Sequence, residues 1–351
     1  MTPLTPLSVP GNSSRSFQTY LEAVTQPRGW LQFGWAPEDP YLRNTKYEAG
    51  LIQFDRAYCT AVCGIDGSNS IPTLDYFFDA VLPVLERPTR VIDVGCGQGE
   101  FVRALRDQGV EALGFDPVLQ EPCSFLFAEL WSADLTPDTD LIVMRCVLPH
   151  IADPWNFLAE IATQQSSAIV LVEFQRIEWI VNNNCWYQLC HDHVNQFSIN
   201  DFLNRYSVIK SGQFGNGEWG WVLFDPKSYQ PSFNHEFPLD QKLAGVLDVR
   251  GSWLGSQVNK KLQRFIWGGA AKGTVLADAL VRSGAAVSAV VDADPQKKGR
   301  FLEGSGVQVI SPVELLTRDL QEVEVLVANP NHFGAVRDFL IATPADVRLT
   351  N

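Results

Sequence analysis

The sequence has no Cys-x-x-Cys pair among its seven cysteines, at positions 59, 63, 96, 123, 146, 185 and 190. Structural zinc sites are commonly built from such pairs, and Cys59-x-x-x-Cys63 has no second pair at useful spacing, so we expect reduced thiols and no bound metal. Long hydrophobic runs are also missing. None approaches the ~20 residues that cross a bilayer, which excludes a membrane-spanning chain. Residues 1–15, rich in Pro, Ser and Thr, have neither the basic start nor the apolar core of a signal peptide. They read as a disordered lead on a cytoplasmic protein. Basic residues are few, 27 Lys and Arg against 40 Asp and Glu, for a net charge of -13. A nucleic-acid backbone calls for a basic surface, so nucleic acid is excluded as a partner. A phosphorylated small molecule, which needs only a local basic pocket, is not.

What is present is a globular composition, 46% hydrophobic and 19% charged, over 351 residues, enough for two or three domains. The most informative stretch is Val91-Ile92-Asp93-Val94-Gly95-Cys96-Gly97-Gln98-Gly99-Glu100. Strand residues run into three alternate glycines, and then an amphipathic pattern begins at Phe101. This reads as strand, glycine loop and helix, with bare backbone offered to a ligand at the helix N-terminus. A second strand, 112–115, closes on Asp116, where a carboxylate can accept both hydroxyls of a ribose. A dinucleotide fingerprint would place a third glycine at position 100. Glu100 stands there instead, so NAD is disfavoured.

The Gly95, Gly97, Gly99 spacing with Asp93 at the strand end resembles motif I of the class I S-adenosylmethionine methyltransferases. Ser132-Ala133-Asp134 and the run Asp140 to His150 resemble the segments that follow in that family. The resemblance implies a Rossmann-like α/β fold with S-adenosylmethionine as cofactor. It implies contacts to it from Asp93, Gly95, Cys96, Gly97 and Gly99, from Asp116 and Pro117, from Ala133 and Asp134, and from Arg145.

Elsewhere the pattern predicts a helix over 71–85 packed before the first strand, and another from Pro154 to Ile161. A buried strand over 168–174 carries Glu173, and a meander runs through 208–210 and 219–224. Between strand and meander lies Trp186-Tyr-Gln-Leu-Cys-His191-Asp192-His193-Val-Asn-Gln-Phe197-Ser198, with Ser198 capping a helix over 199–206. By spacing alone, His-Asp-His is equally a pair of metal ligands, loop polarity, or a general base with an orienting neighbour.

That segment is similar to the Tyr-His-Glu-His motif, with its Phe-Ser-like end, of sugar C-methyltransferases that act on nucleotide-linked keto-sugars. Cys190 stands in place of the tyrosine and Asp192 in place of the glutamate. In the last third, Phe265-Ile-Trp-Gly268-Gly269-Ala-Ala-Lys272-Gly273-Thr274 is again strand, glycine loop and helix, and a strand over 286–291 ends at Asp292. This series resembles the second, smaller Rossmann-like unit of the same family, and the two resemblances together span about 71–340. Residues 1–70 lack the Cys-x-x-Cys pairs of the cysteine-rich zinc domain that usually opens the family.

The expected organisation is a lead over 1–15, an irregular cap over 16–70, a methyltransferase domain over 71–235, and a Rossmann-like substrate-binding unit over 236–351. The resemblance implies that this motif lines the active site, and we expect His193 to act as base, with Asp192 holding its ring and His191 polarising the enolate oxygen or contacting the sugar. It implies acceptor contacts from His150, Glu173, Asn216, Lys272, Lys298 and Arg300, and it makes Lys297 a further phosphate candidate. A small-molecule acceptor such as a nucleotide-linked sugar is expected. O- or N-methylation of another biosynthetic precursor is the alternative, and the oligomeric state is open.

Overall fold

The computed structural model describes residues 6–35, 41–55, 58, 76–85, 90–132, 136, 138–165, 167–231, 239–258 and 262–349. The first described residues correct the expectation of a disordered lead. β1 (Leu7–Pro10) pairs antiparallel with β3 (Arg28–Leu31), and β2 (Ser16–Phe17) lies between them in sequence. β4 (Phe33–Trp35) and β5 (Leu42–Asn44) form a hairpin. The N-terminal region, expected to be irregular, thus contains ordered strands. A short helix, Tyr20–Val24, is fixed by a capping box between Thr19 and Glu22.

Seven strands form the main sheet. β6 (Arg90–Val94), β7 (Glu111–Phe115), β8 (Leu126–Phe127), β9 (Leu141–Arg145) and β10 (Ile169–Gln175) run parallel. β11 (Asn195–Gln196) leaves this sheet to pair with β5. β12 (Ser207–Phe214) and β13 (Trp219–Asp225) are the expected meander, and the strand order is β12-β13-β10-β9-β6-β7-β8. Ile92, Ile142, Met144 and Val172 pack into one core, and Val91, Leu141, Val143 and Leu171 into another on the opposite face. A parallel sheet covered on both sides needs such unbroken apolar strands. The chain leaves β6 towards β7 on one side and has β9 on the other, which opens a crevice at the carboxyl ends of β6 and β9.

Of the helix expected over 71–85, residues 71–75 lie outside the described part. The remainder is a π-turn, Phe77–Val81, followed by a 3-10 turn, Leu82–Leu85, which holds Pro83. Proline has no N–H to continue an α-helical ladder.

The second unit is a five-stranded parallel sheet. β14 (Gln263–Trp267) and β15 (Ala289–Val291) lead to β16 (Phe301–Leu302), which leaves the sheet to pair with β2. β17 (Val309–Ile310), β18 (Val323–Val327) and β19 (Asp346–Leu349) complete the order β17-β15-β14-β18-β19. The fold is therefore α/β with two Rossmann-like sheets, as the sequence implies. The expected boundaries near 70 and 235 lie outside the described residues. One core joins the parts, with Val9 and Leu31 from the N-terminal strands, Trp186 and Leu189 from the main unit, and Ile266, Leu276 and Leu326 from the second. Among the described residues, no helix is long and apolar enough to cross a membrane.

Candidate active site

β6 delivers Asp93 and Val94 to the crevice, and the loop that follows turns on three left-handed glycines, Gly95, Gly97 and Gly99, at φ of 72°, 60° and 85°. L-residues rarely adopt that region, so the alternate glycines are a backbone requirement. The loop is tied to the neighbouring strand by the amides of Gly95 and Cys96, which donate to Phe115 O at 2.8 and 3.1 Å. A side chain at Gly95 would strike Val147, and one at Gly99 would strike Leu126. At Gly97 it would meet nothing within 4 Å, so the middle of the loop faces open space.

Asp116, just past β7, accepts the Gly97 amide on Oδ2 at 2.8 Å and the Val118 amide on Oδ1 at 2.9 Å. Each carboxylate oxygen keeps a further lone pair, so Asp116 can still accept two hydroxyls. Burial pushes its carboxyl above the usual range, against those two amides. Asp93 is buried, and its Oδ1 has no hydrogen-bond partner among the described residues. Burial, with help from Asp116, Glu173 and Glu100, raises its pKa to about 7 in spite of Arg145. An open glycine cradle, an orphaned carboxylate at its root and a carboxylate poised for a diol fit a cationic nucleoside such as S-adenosylmethionine. Cys96 lies buried in the loop with its thiol pushed up, chiefly by burial. Pro117 follows Asp116 directly, while Ala133 and Asp134 lie outside the described residues.

Arg145 and Glu173 are register partners at the ends of β9 and β10. Arg145 Nε donates to Glu173 Oε2 at 3.3 Å, and its guanidinium lies 5.0 Å over the Phe101 ring. Glu173, 3% exposed, also accepts the Tyr76 hydroxyl at 2.8 Å. Both side chains brace the strand ends, and Glu173, which the resemblance makes an acceptor contact, is engaged here by Arg145 and Tyr76.

The histidines separate into two roles. His191 is fully buried. Its Nδ1 donates to Trp30 O at 3.1 Å, its Nε2 accepts the Glu48 amide at 3.2 Å, and its ring stacks on Tyr47 at 5.4 Å. A Cβ on Gly29 would come within 2.3 Å of its ring, so only glycine fits opposite. With both nitrogens engaged, His191 is a neutral packing element, which corrects its expected role of polarising the acceptor oxygen.

His193 and His150 meet instead. Their ring centroids lie 4.7 Å apart at an interplanar angle of 79°. His150, in the loop after β9, donates from Nδ1 to Asp192 O at 2.7 Å, which orients its ring. No hydrogen bond engages the His193 ring among the described residues, so it retains a lone pair. Burial and then His150 push its pKa down to about 4, with Asp192 opposing, so the ring is neutral at pH 7. The Asp192 carboxylate, 1% exposed, accepts the Ser13 hydroxyl on Oδ1 at 2.7 Å. Burial raises its proton affinity, but the facing imidazoles and Ser13 outweigh it and hold the carboxyl below the usual range.

The basic candidates do not gather as a phosphate pocket. Lys272 pairs with the buried Glu218, and Asn331 Nδ2 donates to that same carboxylate at 2.7 Å. Asn216 Nδ2 donates to Asn331 Oδ1 at 3.2 Å, so this β12–β13 turn joins the two units. Lys297 is buried against Asp292 and Asp294, Lys298 pairs with Glu314 at 3.2 Å, and Arg300 donates to Ser16 O. Among the described residues, no three His, Cys, Asp or Glu side chains gather as metal ligands, and Cys59 and Cys63 lie outside them. Ser13, Tyr76 and Glu218 were missed as functional positions because their partners are distant in sequence.

Residues 72–205 match a family model described as a methyltransferase domain. The match spans the glycine loop, Asp116 and both facing imidazoles. Among solved structures, the chain is similar to the PH0226 protein of Pyrococcus horikoshii OT3, at 13% identity and a TM-score of 0.37, over 48% of this chain and 96% of that one. It is also similar to a SAM dependent methyltransferase from Archaeoglobus fulgidus, at 15% and 0.33, over 44% and 94%. A third is the 1,6-didemethyltoxoflavin-N1-methyltransferase of Burkholderia thailandensis, with bound 1,6-didemethyltoxoflavin and S-adenosylhomocysteine, at 14% and 0.30, over 43% and 80%. No curated protein matches the chain.

Proposed function

We propose that this chain, a methyltransferase dependent on S-adenosylmethionine, methylates a carbon beside the ketone of a nucleotide-linked keto-sugar or a related biosynthetic intermediate. The observation that carries the reading is the facing pair of imidazoles, His150 and His193, with His150 in the loop after β9, the neighbour of β6. When bound, the cofactor supplies a methyl group already activated on a positive sulfur. The protein's task is to position the acceptor and take up a proton.

His193 is neutral and has a lone pair available, so it can accept the proton of the carbon next to the carbonyl. The C–H electron pair stays on the acceptor as an enolate. Asp192 carries a negative charge beside the imidazolium that then forms, which offsets the cost of charging a buried ring. His150 faces the same space with Nε2. The nucleotide-linked acceptor rests on the likeness of the His-Asp-His segment and of the second unit to the sugar C-methyltransferases.

O- or N-methylation is the second reading, and the low basicity of His193 favours it. A ring with a pKa of about 4 is a weak base for a carbon acid, whereas a neutral amine attacks the methyl with its own lone pair and sheds its proton only afterwards. Mutation of the base tests the shared part of both readings. His193→Ala should lower turnover at least about a hundredfold while the affinity for S-adenosylhomocysteine stays unchanged, because the cradle is built by residues 93–118. A fully active His193→Ala enzyme would remove the histidine from the chemistry.

A further inference from the structure

The N-terminal segment reaches the His-Asp-His segment at Asp192. Residues 11–13 and 15 are buried. The Asn12 amide donates to Glu303 of the second unit at 2.8 Å, and the next residue, Ser13, turns the other way. Its hydroxyl donates to Asp192 Oδ1 at 2.7 Å, and its amide approaches the same oxygen at 3.4 Å. Asp192 Oδ2 is buried and has no hydrogen-bond partner among the described residues. The same residue's backbone oxygen fixes the His150 ring.

We infer that Ser13 is a positioning residue for proton removal: by occupying Oδ1 it locks in place Asp192, whose backbone oxygen orients the His150 ring that packs against His193. The inference rests on the reading of His193 as base. In the step it serves, a proton passes from the acceptor to a His193 ring nitrogen and the electron pair stays on the acceptor. Asp192 itself keeps its charge. Without the hydroxyl donor, the carboxylate can rotate and its charge is less well solvated in a buried place.

The charged and titratable groups facing Asp192 come from every side. His193 and Cys190 belong to its own segment, and His150 to the loop after β9. Tyr47 and Tyr58 come from the N-terminal region, and Glu303 from the second unit. The Cys190 thiol is within hydrogen-bonding reach of both Ser13 and the Asp192 carboxylate, and Ser13 donates to Oδ1 at 2.7 Å. The sign of the expected change follows. A donor to the carboxylate stabilises the anionic state of the Asp192–His193 pair, so removing it makes the pair easier to protonate and raises its lower apparent pKa.

The test is a pH titration of the histidine ring signals by NMR on the full chain, with methyl transfer to a nucleoside-diphosphate keto-hexose measured alongside. Ser13→Ala should shift the acidic titration of His193 up by about one to two pH units, the equivalent of one hydrogen bond to a charged group. Methyl transfer should fall about ten- to a hundredfold. Ser13→Thr, which keeps a hydroxyl, should restore both. If alanine disturbs the fold, seen as lost S-adenosylhomocysteine affinity, Ser13→Cys keeps the volume with a weaker donor and should move the titration the same way. An unmoved titration in the folded Ala or Cys variant overturns the inference. A His193→Ala enzyme that still turns over would instead overturn the reading of the base, and the titration would still report on Ser13 separately.

Discussion

At the scale of single residues, Asp116 is held at both oxygens by amides of the loop it serves, Gly97 and Val118. A ligand diol therefore meets a carboxylate already oriented, with no rotamer left to freeze. Asp116→Ala removes a charged, two-pronged contact and also frees the Gly97 amide. S-adenosylhomocysteine affinity should fall by roughly 1.5–3 kcal/mol, as calorimetry would read it, and an unchanged affinity would take the carboxylate out of the site. The role of Asp116 is legible in sequence because strand, glycines and carboxylate follow one another within 30 residues. The difference between His191 and His193 is not. Both flank Asp192, and only Trp30 and Glu48, more than 140 residues away, claim the nitrogens of one and leave the other open. Ser13 was hidden for the same reason, its partner lying 179 residues on.

At the scale of elements, the two strand–loop–helix units were readable because each carries its own local pattern. In the second unit, a Cβ at Gly273 would lie 1.7 Å from Gly268 O, so the helix Ala271–Arg282 packs against its own loop. Gly273→Ala must push helix and loop apart. Overpacking of this kind costs about 1–3 kcal/mol, and urea unfolding should show the loss in midpoint. A midpoint equal to that of the parent chain would mean that the loop yields freely. The N-terminal strands were not readable. Pro, Ser and Thr there match the composition of a disordered segment, whereas β1 and β2 are stabilised by pairing with β3 and with β16, nearly 300 residues away for the latter. Short strands with non-local partners leave no periodic trace in a stretch of four or two residues.

At the scale of the whole molecule, the second unit is fastened to the main one at several points. Glu218 holds Lys272 and Asn331, Arg28 forks onto Asp278 at 2.9 and 2.7 Å, and β2 pairs with β16. Of the basic residues that read in sequence as phosphate contacts, Lys272 and Arg300 are partners in this fastening, while Lys297 and Lys298 pair with carboxylates of the second unit, and spacing alone does not tell such cations from ones that bind a ligand. The account makes one chemical claim of the assembled protein: the neutral His193 ring, packed against His150, prepares a carbon nucleophile for the methyl group of the cofactor. Its most direct test is to supply S-adenosylmethionine carrying a 13C methyl group together with a nucleoside-diphosphate keto-hexose, and to locate the label by NMR. Coupling of the labelled methyl to a ring carbon next to the ketone is the expected result. A methyl found on oxygen or nitrogen would contradict it.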